Sequence, residues 1–416
     1  MGHARLTSND YRDSWPDYLR SVALAAKSPT PSDHPTIINM ETATGSQKLK
    51  QVLAEVSVAS VIDNYDEQLA ELFISEHAHL YRASAEIKKN SIAEMLTAHY
   101  AGVPTWQKGS WVYYPWTGEL VHVLSRELFN ALRTIRNKDL VTADQQAKFA
   151  AVKVACVGMS VGSSAALSLV LQGGSSQLKI ADGAVISGSN LNRILAGVAD
   201  IGSEKALVVG RRLYEMNPYL ELVQGHDALR PDTLEAFLDQ PWPTDVVVDE
   251  IDDLEMKIRL RVAARTRRLP VLMATDLGDD VMLGVERFDQ DPNLPLFHGI
   301  VGNIEEMLER KNMTQREWLK YATGIIGTKN VPLDMQKSLL KIGSTLPTQP
   351  QLGGTAMAAG ATIAFAVRQL AVGEPLKAGR TVVSLEQTLV SGRKGVRHRL
   401  KHRSHSRMLD NAMKKM

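Results

Sequence analysis

Between Val152 and Thr275 short apolar runs alternate with helix-forming segments, and few folds accommodate that rhythm. "VKVACV" reads as a strand, Gly162 to Leu171 as a helix stopped by Gly173-Gly174, and "LKIAD" as a second strand ending at Asp182. "SEKALVVGRRLYEMNP", "LELVQ", "DTLEAFLDQ", "DVVVD", "DLEMKIRLRVAARTRR" and "PVLMAT" then continue as helix, strand, helix, strand, helix, strand. Strands this apolar need cover on both faces, so the pattern predicts a doubly wound, mainly parallel α/β sheet. Ligands of such sheets collect outside the carboxyl ends of the strands.

The flanking segments carry other signals. From Tyr11 to about Gly102 the pattern is mostly helical, with polar joints such as "KSPTPSDHPT"; Val52, Val56, Ala59 and Ile62, then Leu69, Leu72 and Phe73, fall at helix spacing. In "WVYYPWTGELVHVL" the turn residues Pro115 to Gly118 predict a hairpin. Beyond Phe288, helices are expected over Ile304 to Arg310 and Thr314 to Ala322. "GGTAMAAGATIAFAVRQLAVG" approaches membrane-helix length, but its Gly, Ala and Thr content and Arg368 favour packing against the sheet or a second subunit. The expected partition is residues 1–125 as an N-terminal helical region with a hairpin and a possible substrate-recognition role, 126–390 as the α/β domain, and 391–416 as a basic tail.

The 416 residues include 44% hydrophobic and 23% charged ones, an ordinary globular composition. The start lacks the apolar stretch of a signal peptide and no run is expected to span a bilayer, which predicts a cytoplasmic protein. Gly2 is not followed by the small polar residue at position 6 that myristoylation prefers. Cys156 is the single cysteine and lies in the first apolar strand, so it reads as a core residue and excludes an intrachain disulfide or a Cys-rich zinc clamp. The net charge of +2 hides a basic end: Ser391 to Met416 holds nine Lys/Arg against one Asp, a composition suited to an anionic partner. His398 and His402 are four apart there, without an acidic neighbour to complete a metal site, and His298 in "LFHGIVG" reads as structural.

The turn in "VACVGMSVGSSAAL" is the chemical question. A dinucleotide loop wants G-x-G-x-x-G, whereas here Gly158 and Gly162 bracket Ser160. Asp182, 24 residues after Gly158, suits the ribose hydroxyls of NAD and ATP alike. "SNLNR" then supplies Asn190 and Arg193, and "DIGSEKA" supplies Lys205 at a helix start. An arginine and a lysine beside one nucleotide imply negative charge that shifts during reaction, as in attack on phosphorus. "VVVDEIDDLEMK" ends its strand in Asp249, Glu250, Asp252 and Asp253, where a magnesium ion bridging phosphates would sit; Asp253 also suits a helix N-terminus.

As an ordered set, Gly158 with Gly162, Asp182, "NLNR", the lysine of "GSEKA" and the "DEIDD" strand end resemble the ThiF/MoeB/HesA adenylyltransferases, relatives of the ubiquitin-activating enzymes. The likeness runs from about Arg133 to Arg287. It implies a Rossmann-like, ThiF-type fold, with Gly158, Ser160, Gly162 and Asp182 holding the nucleotide and Asn190, Arg193 and Lys205 its phosphates. It further implies Asp252 on magnesium and, from "RTIRN", Arg136 reaching the neighbouring subunit's nucleotide in a homodimer. Ser160 and Val161 replace two family glycines, and no cysteine is present for a thioester step. The implied reaction is ATP- and Mg2+-dependent adenylation of a carboxylate on a peptide, a small protein or a small acid. A nicotinamide-dependent oxidoreductase would explain Gly158 and Asp182 but not Arg193, Lys205 and Asp252, and a non-catalytic nucleotide-binding protein is the other alternative.

Overall fold

A computed structural model describes residues 32–309, 321, 324–393 and 395–415. The expectations for Gly2, for residues 11–31 and, apart from Tyr321, for the 314–322 helix lie outside the described residues. The chain forms two compact units, Met1–Glu67 with Leu96–Ser125 and Gln68–Met95 with Arg126–Met416.

The first unit is built on a four-stranded sheet in the order β1-β3-β4-β2: β1 (Thr36–Asn39), β2 (Ser60–Asp63), β3 (Ser110–Tyr114) and β4 (Glu119–Val123). The hairpin expected at Pro115 to Gly118 joins β3 to β4, and β2 pairs with β4 in parallel. The helical reading of Ala59 and Ile62 is therefore corrected. A helix over Gly45–Glu55 ends first, and the β-branched "SVID" pairs with the hairpin as an exposed edge strand. One face buries Ile38, Met40, Leu49, Trp111, Tyr113 and Leu120, with Val52 and Val56 packed alongside. His122 is fully buried and stacked on Trp111 at 4.3 Å, with Nδ1 facing Asp63 and Nε2 facing Lys108 O.

The second unit carries a seven-stranded sheet in the order β11-β10-β9-β8-β5-β6-β7. Its parallel strands are β5 (Lys153–Val157), β6 (Gln177–Ala181), β7 (Glu221–Gly225), β8 (Val246–Asp249) and β9 (Pro270–Leu277). The helices between them are α1 (Val161–Leu171), α2 (Lys205–Met216), α3 (Pro231–Asp239) and α4 (Leu254–Thr266), close to the expected bounds. Strand order reverses between β5 and β8, which makes their carboxyl ends the natural crevice. Two antiparallel strands that the sequence pattern did not reveal extend the sheet: β10 (Asp280–Arg287), which forms a hairpin with β9, and β11 (Gly379–Ser384). Residues 304–309 form a 3-10 helix.

The apolar helix α5 (Gly353–Val372) is long and apolar enough to cross a membrane by length and composition. It packs instead on α1 and β9, burying Ala356, Ala359, Gly360, Ile363, Ala364 and Val367. Small residues permit that approach: a Cβ at Gly360 would lie 2.3 Å from Ser164 O. The basic end is also ordered, as α6 (Val396–Lys415). Its Leu409 and Ser406 are buried, Ser406 Oγ donates to Thr328 Oγ1 at 3.0 Å, and His402 Nε2 donates to Val331 O at 2.8 Å. Arg397, Arg399, Lys401, Arg403 and Arg407 remain exposed.

Lys179 of β6 is fully buried beneath α3, where its Nζ donates to Phe237 O (2.7 Å), Leu238 O (3.0 Å) and Trp242 O (2.7 Å), with the Trp242 ring 4.4 Å away. Phe237 O and Leu238 O lie in the last turn of α3, where Leu238 O also accepts from Thr244 N at 2.9 Å, and Trp242 O lies beyond the helix. Lys179→Met keeps the apolar stem and takes the donor from Phe237 O and Trp242 O, so urea denaturation should show a loss of about 3 kcal/mol.

Candidate active site

At the carboxyl end of β5 the chain turns through Gly158 at φ +90°, and the Gly158 amide donates to Ala181 O at 2.8 Å. A Cβ there would stand 2.2 Å from Glu250 O, so the turn lies directly on the end of β8. Only glycine combines that backbone with that approach. Ser160 precedes α1 without capping it, which leaves the first-turn amides of α1 without a side-chain partner. Gly162 is buried within that turn, close to the Met159 and Glu250 side chains.

Five of the expected site residues meet here. Asp182 follows β6; its Oδ2 accepts from Met159 N and its Oδ1 from Ala184 N, each at 2.7 Å, which ties it to the Gly158 turn. Lys205 is the first residue of α2, and its Nζ stands 3.8 Å from Asp182 Oδ2. Arg193 reaches back from the loop after β6: its Nε donates to Ser160 Oγ at 3.0 Å and one Nη to Ser189 O and Asn192 Oδ1. Gly158, Ser160, Asp182, Arg193 and Lys205 thus form one connected cluster. Asn190 is buried and turned inward, accepting from Ser187 N at 3.1 Å to close the 3-10 turn Gly188–Asn192 that carries Arg193.

The four acids after β8 divide by environment. Asp249 is fully buried; desolvation pushes its carboxyl up, but Lys257 at 2.8 Å and Arg261 outweigh this and hold it below the usual range. Arg261, itself fully buried, also binds Glu286 at 2.6 Å. Glu250 Oε1 accepts from Ala274 N at 2.7 Å, and burial pushes its carboxyl well above the usual range. Asp253 caps α4 through Met256 N at 2.8 Å. Asp252 is exposed and accepts no hydrogen bond from the described residues, so both of its carboxylate oxygens are available to a ligand. No group of three or more His, Cys, Asp or Glu among the described residues could hold a metal by itself. One free carboxylate is the donor set that magnesium takes when phosphates and water fill its other positions, so Asp252 fits that ion.

Sequence reasoning missed Asp276, near the end of β9. Burial pushes its carboxyl up, Arg193 draws it down and Asp252 raises it again, so it belongs to the same electrostatic neighbourhood. Its signal was a single acid following "VLMAT". Arg136 stands apart from the cluster. It is exposed in the turn Ile135–Asn137, whose Asn137 Nδ2 donates to Gln172 O at 3.1 Å beyond the carboxyl end of α1. That is the end of α1 remote from Ser160, about 16 Å along the helix axis. Cys156 is fully buried, and burial, with Glu250 nearby, pushes its thiol up.

A profile of the ThiF family matches residues 132–364. Uncharacterized protein MT1398 of Mycobacterium tuberculosis (strain CDC 1551 / Oshkosh) is 38% identical over 279 residues, which are 67% of this chain; the chain spans 38% of that relative's length. Among solved structures, PaaA overlaps 62% of this chain and 77% of its own at 15% identity and a TM-score of 0.43. E. coli MccB with ATP overlaps 58% of this chain and 63% of its own at 17% identity and a TM-score of 0.40.

The contact of the turn with β8 sets a test. Gly158→Ala should lower the melting temperature by several degrees, through strain of about 1–3 kcal/mol and the forced retreat of Glu250. An unchanged melting curve would refute the tight seat of this turn.

Proposed function

The chain belongs to the ThiF family, and from that premise we propose that it adenylates a carboxylate with ATP and magnesium, without an enzyme thioester. The observation that carries this reading is the pairing of two cations with the turn, Arg193 on Ser160 and Lys205 on Asp182, with the free carboxylate of Asp252 in the same electrostatic neighbourhood as Arg193 around Asp276. Asp182 keeps acceptor capacity for ribose hydroxyls after its two amide bonds. Uncapped first-turn amides of α1, with Gly158 and Gly162, suit the triphosphate.

In this reading the substrate carboxylate attacks the α-phosphorus, the bond to pyrophosphate breaks, and the acyl adenylate leaves for a nucleophile other than an enzyme thiol. Arg193 and Lys205 stabilise charge as it moves to the leaving pyrophosphate, and Asn190 keeps the Arg193 loop in shape. Magnesium bound to Asp252 would neutralise phosphate charge. The substrate is a carboxylate-bearing peptide, a small protein or a small acid, and the first unit serves its recognition. The exposed cations of α6 suit an anionic partner.

We also infer a homodimer in which Arg136 serves the neighbouring subunit's nucleotide. Its position beyond the far end of α1 from Ser160 supports action in trans. Leu195, Val198 and Ile201, exposed on the loop that follows Arg193, are apolar surface available for such an interface.

ATP with magnesium should raise the melting temperature more than NAD or NADP does. A larger shift with NAD would overturn the reading in favour of an oxidoreductase. With candidate carboxylates, labelled pyrophosphate should exchange into ATP, and Lys205→Ala or Arg193→Ala should cut the exchange by roughly a hundredfold. Arg136→Ala and Lys205→Ala, each nearly inactive, should regain about a quarter of wild-type exchange when mixed as exchanging dimers, since half the dimers are mixed and each has one intact site. No recovery, with mass measurement showing mixed dimers, would exclude action in trans.

A further inference from the structure

Arg193 is held at its far side by a segment nearly 160 residues away in sequence. Asn192, its neighbour, accepts from the Arg193 guanidinium through Oδ1 at 3.0 Å and donates through Nδ2 to the backbone carbonyl of Gln351 at 2.9 Å. The Gln351 side chain donates through Nε2 to Asp276 Oδ2 at 3.2 Å. Asp276 is 6% exposed at the carboxyl end of β9, and α5 begins two residues after Gln351. Thr355, in the first turn of α5, donates to Gly278 O in the β9–β10 turn, so the Gln351 segment is pinned on both sides. The hydrogen bonds run without a break from Asp276 through Gln351 and Asn192 to Arg193 and Ser160.

We propose that Gln351, anchored on Asp276, is a positioning residue for the nucleotide site: it fixes the Asn192 carboxamide, which in turn aims the Arg193 guanidinium across the Gly158 turn. The chemistry at both ends requires this order. An asparagine amide has one acceptor side and one donor side, and only with Nδ2 committed to Gln351 O does Oδ1 face the cation. A guanidinium with two of its edges occupied by Asn192, Ser189 and Ser160 presents its remaining donors in one direction. Without the anchor, the residue-351 carbonyl is free to move and the Asn192 amide to turn over. The inference rests on the reading of this cluster as an ATP site.

The test measures binding of α,β-methylene ATP with magnesium to the full chain by calorimetry, with melting curves to verify that each variant is folded. Gln351→Ala should weaken binding roughly fivefold to tenfold, the scale of one hydrogen bond acting on a charged group. The double variant Gln351→Ala/Arg193→Ala should bind no more weakly than Arg193→Ala alone, because the anchor acts through the arginine. Asp276→Asn and Asp276→Ala remove the same charge, but only the asparagine keeps an oxygen for Gln351 Nε2, so the Asn variant should bind the analogue more tightly than the Ala variant. Unchanged binding by Gln351→Ala, or a loss that adds in full to that of Arg193→Ala, would overturn the positioning role while leaving the ATP reading in place. Failure of the wild-type protein to bind the analogue would overturn both.

Discussion

The buried carboxylate of Asp249 is the constraint on which the rest of this site depends. A charge without solvent needs opposite charge in contact, and Lys257 and Arg261 supply it from the first three turns of α4. Arg261 also takes Glu286 of β10, whose second oxygen accepts from Phe297 N at 2.6 Å. One buried network therefore locks the end of β8 to α4, to β10 and to the loop after β10. With β8 held this way, Glu250 O presents a fixed surface to Gly158, and Asp252 lies in the short connection between that strand end and the Asp253 cap of α4.

Charge at the rim follows from that rigidity. Asp182 stands directly after β6, Lys205 opens α2, Arg193 lies in the connection between them, and Asp252 lies between β8 and α4. Backbone hydrogen bonds hold three of these positions: Asp182 N donates to Gly225 O, Arg193 N to Asn190 O and Lys205 N to Ala184 O. The side chains that remain adjustable are the two cations, and both rest on protein acceptors within the cluster. A polyanionic ligand would exchange those acceptors for phosphate oxygens, a replacement of like by like rather than the ordering of free side chains.

What the sequence revealed and what it concealed have physical reasons. Strands β5 to β9 were legible because a parallel strand covered on both faces must be an apolar run, and the glycine, acid, arginine and lysine of the site sit at the junctions that such runs mark. β10 escaped because it follows β9 after a turn of two residues, so "VLMATDLGDDVMLGVER" shows no break long enough to separate two strands. β2 escaped because "SVID" continues a helix-like spacing, and its strand state depends on pairing with β4 some sixty residues later. Gln351 carried no signal in "LPTQPQL": its role depends on Asp276 and Asn192, which only the folded chain brings beside it.

The packing of α5 on α1 also has a consequence for how the chain is made. These helices lie roughly two hundred residues apart in sequence, and α1 with β9 is covered only once α5 has been synthesised and has docked. A ribosome-bound chain that has completed all five parallel strands still presents the Ser164 groove and the β9 face to solvent. Such an intermediate is apolar on one side and cannot close. Truncation before Gly353 would leave the protein permanently in that condition, so α5, which emerges after all five parallel strands, controls when the nascent chain escapes self-association and chaperone capture.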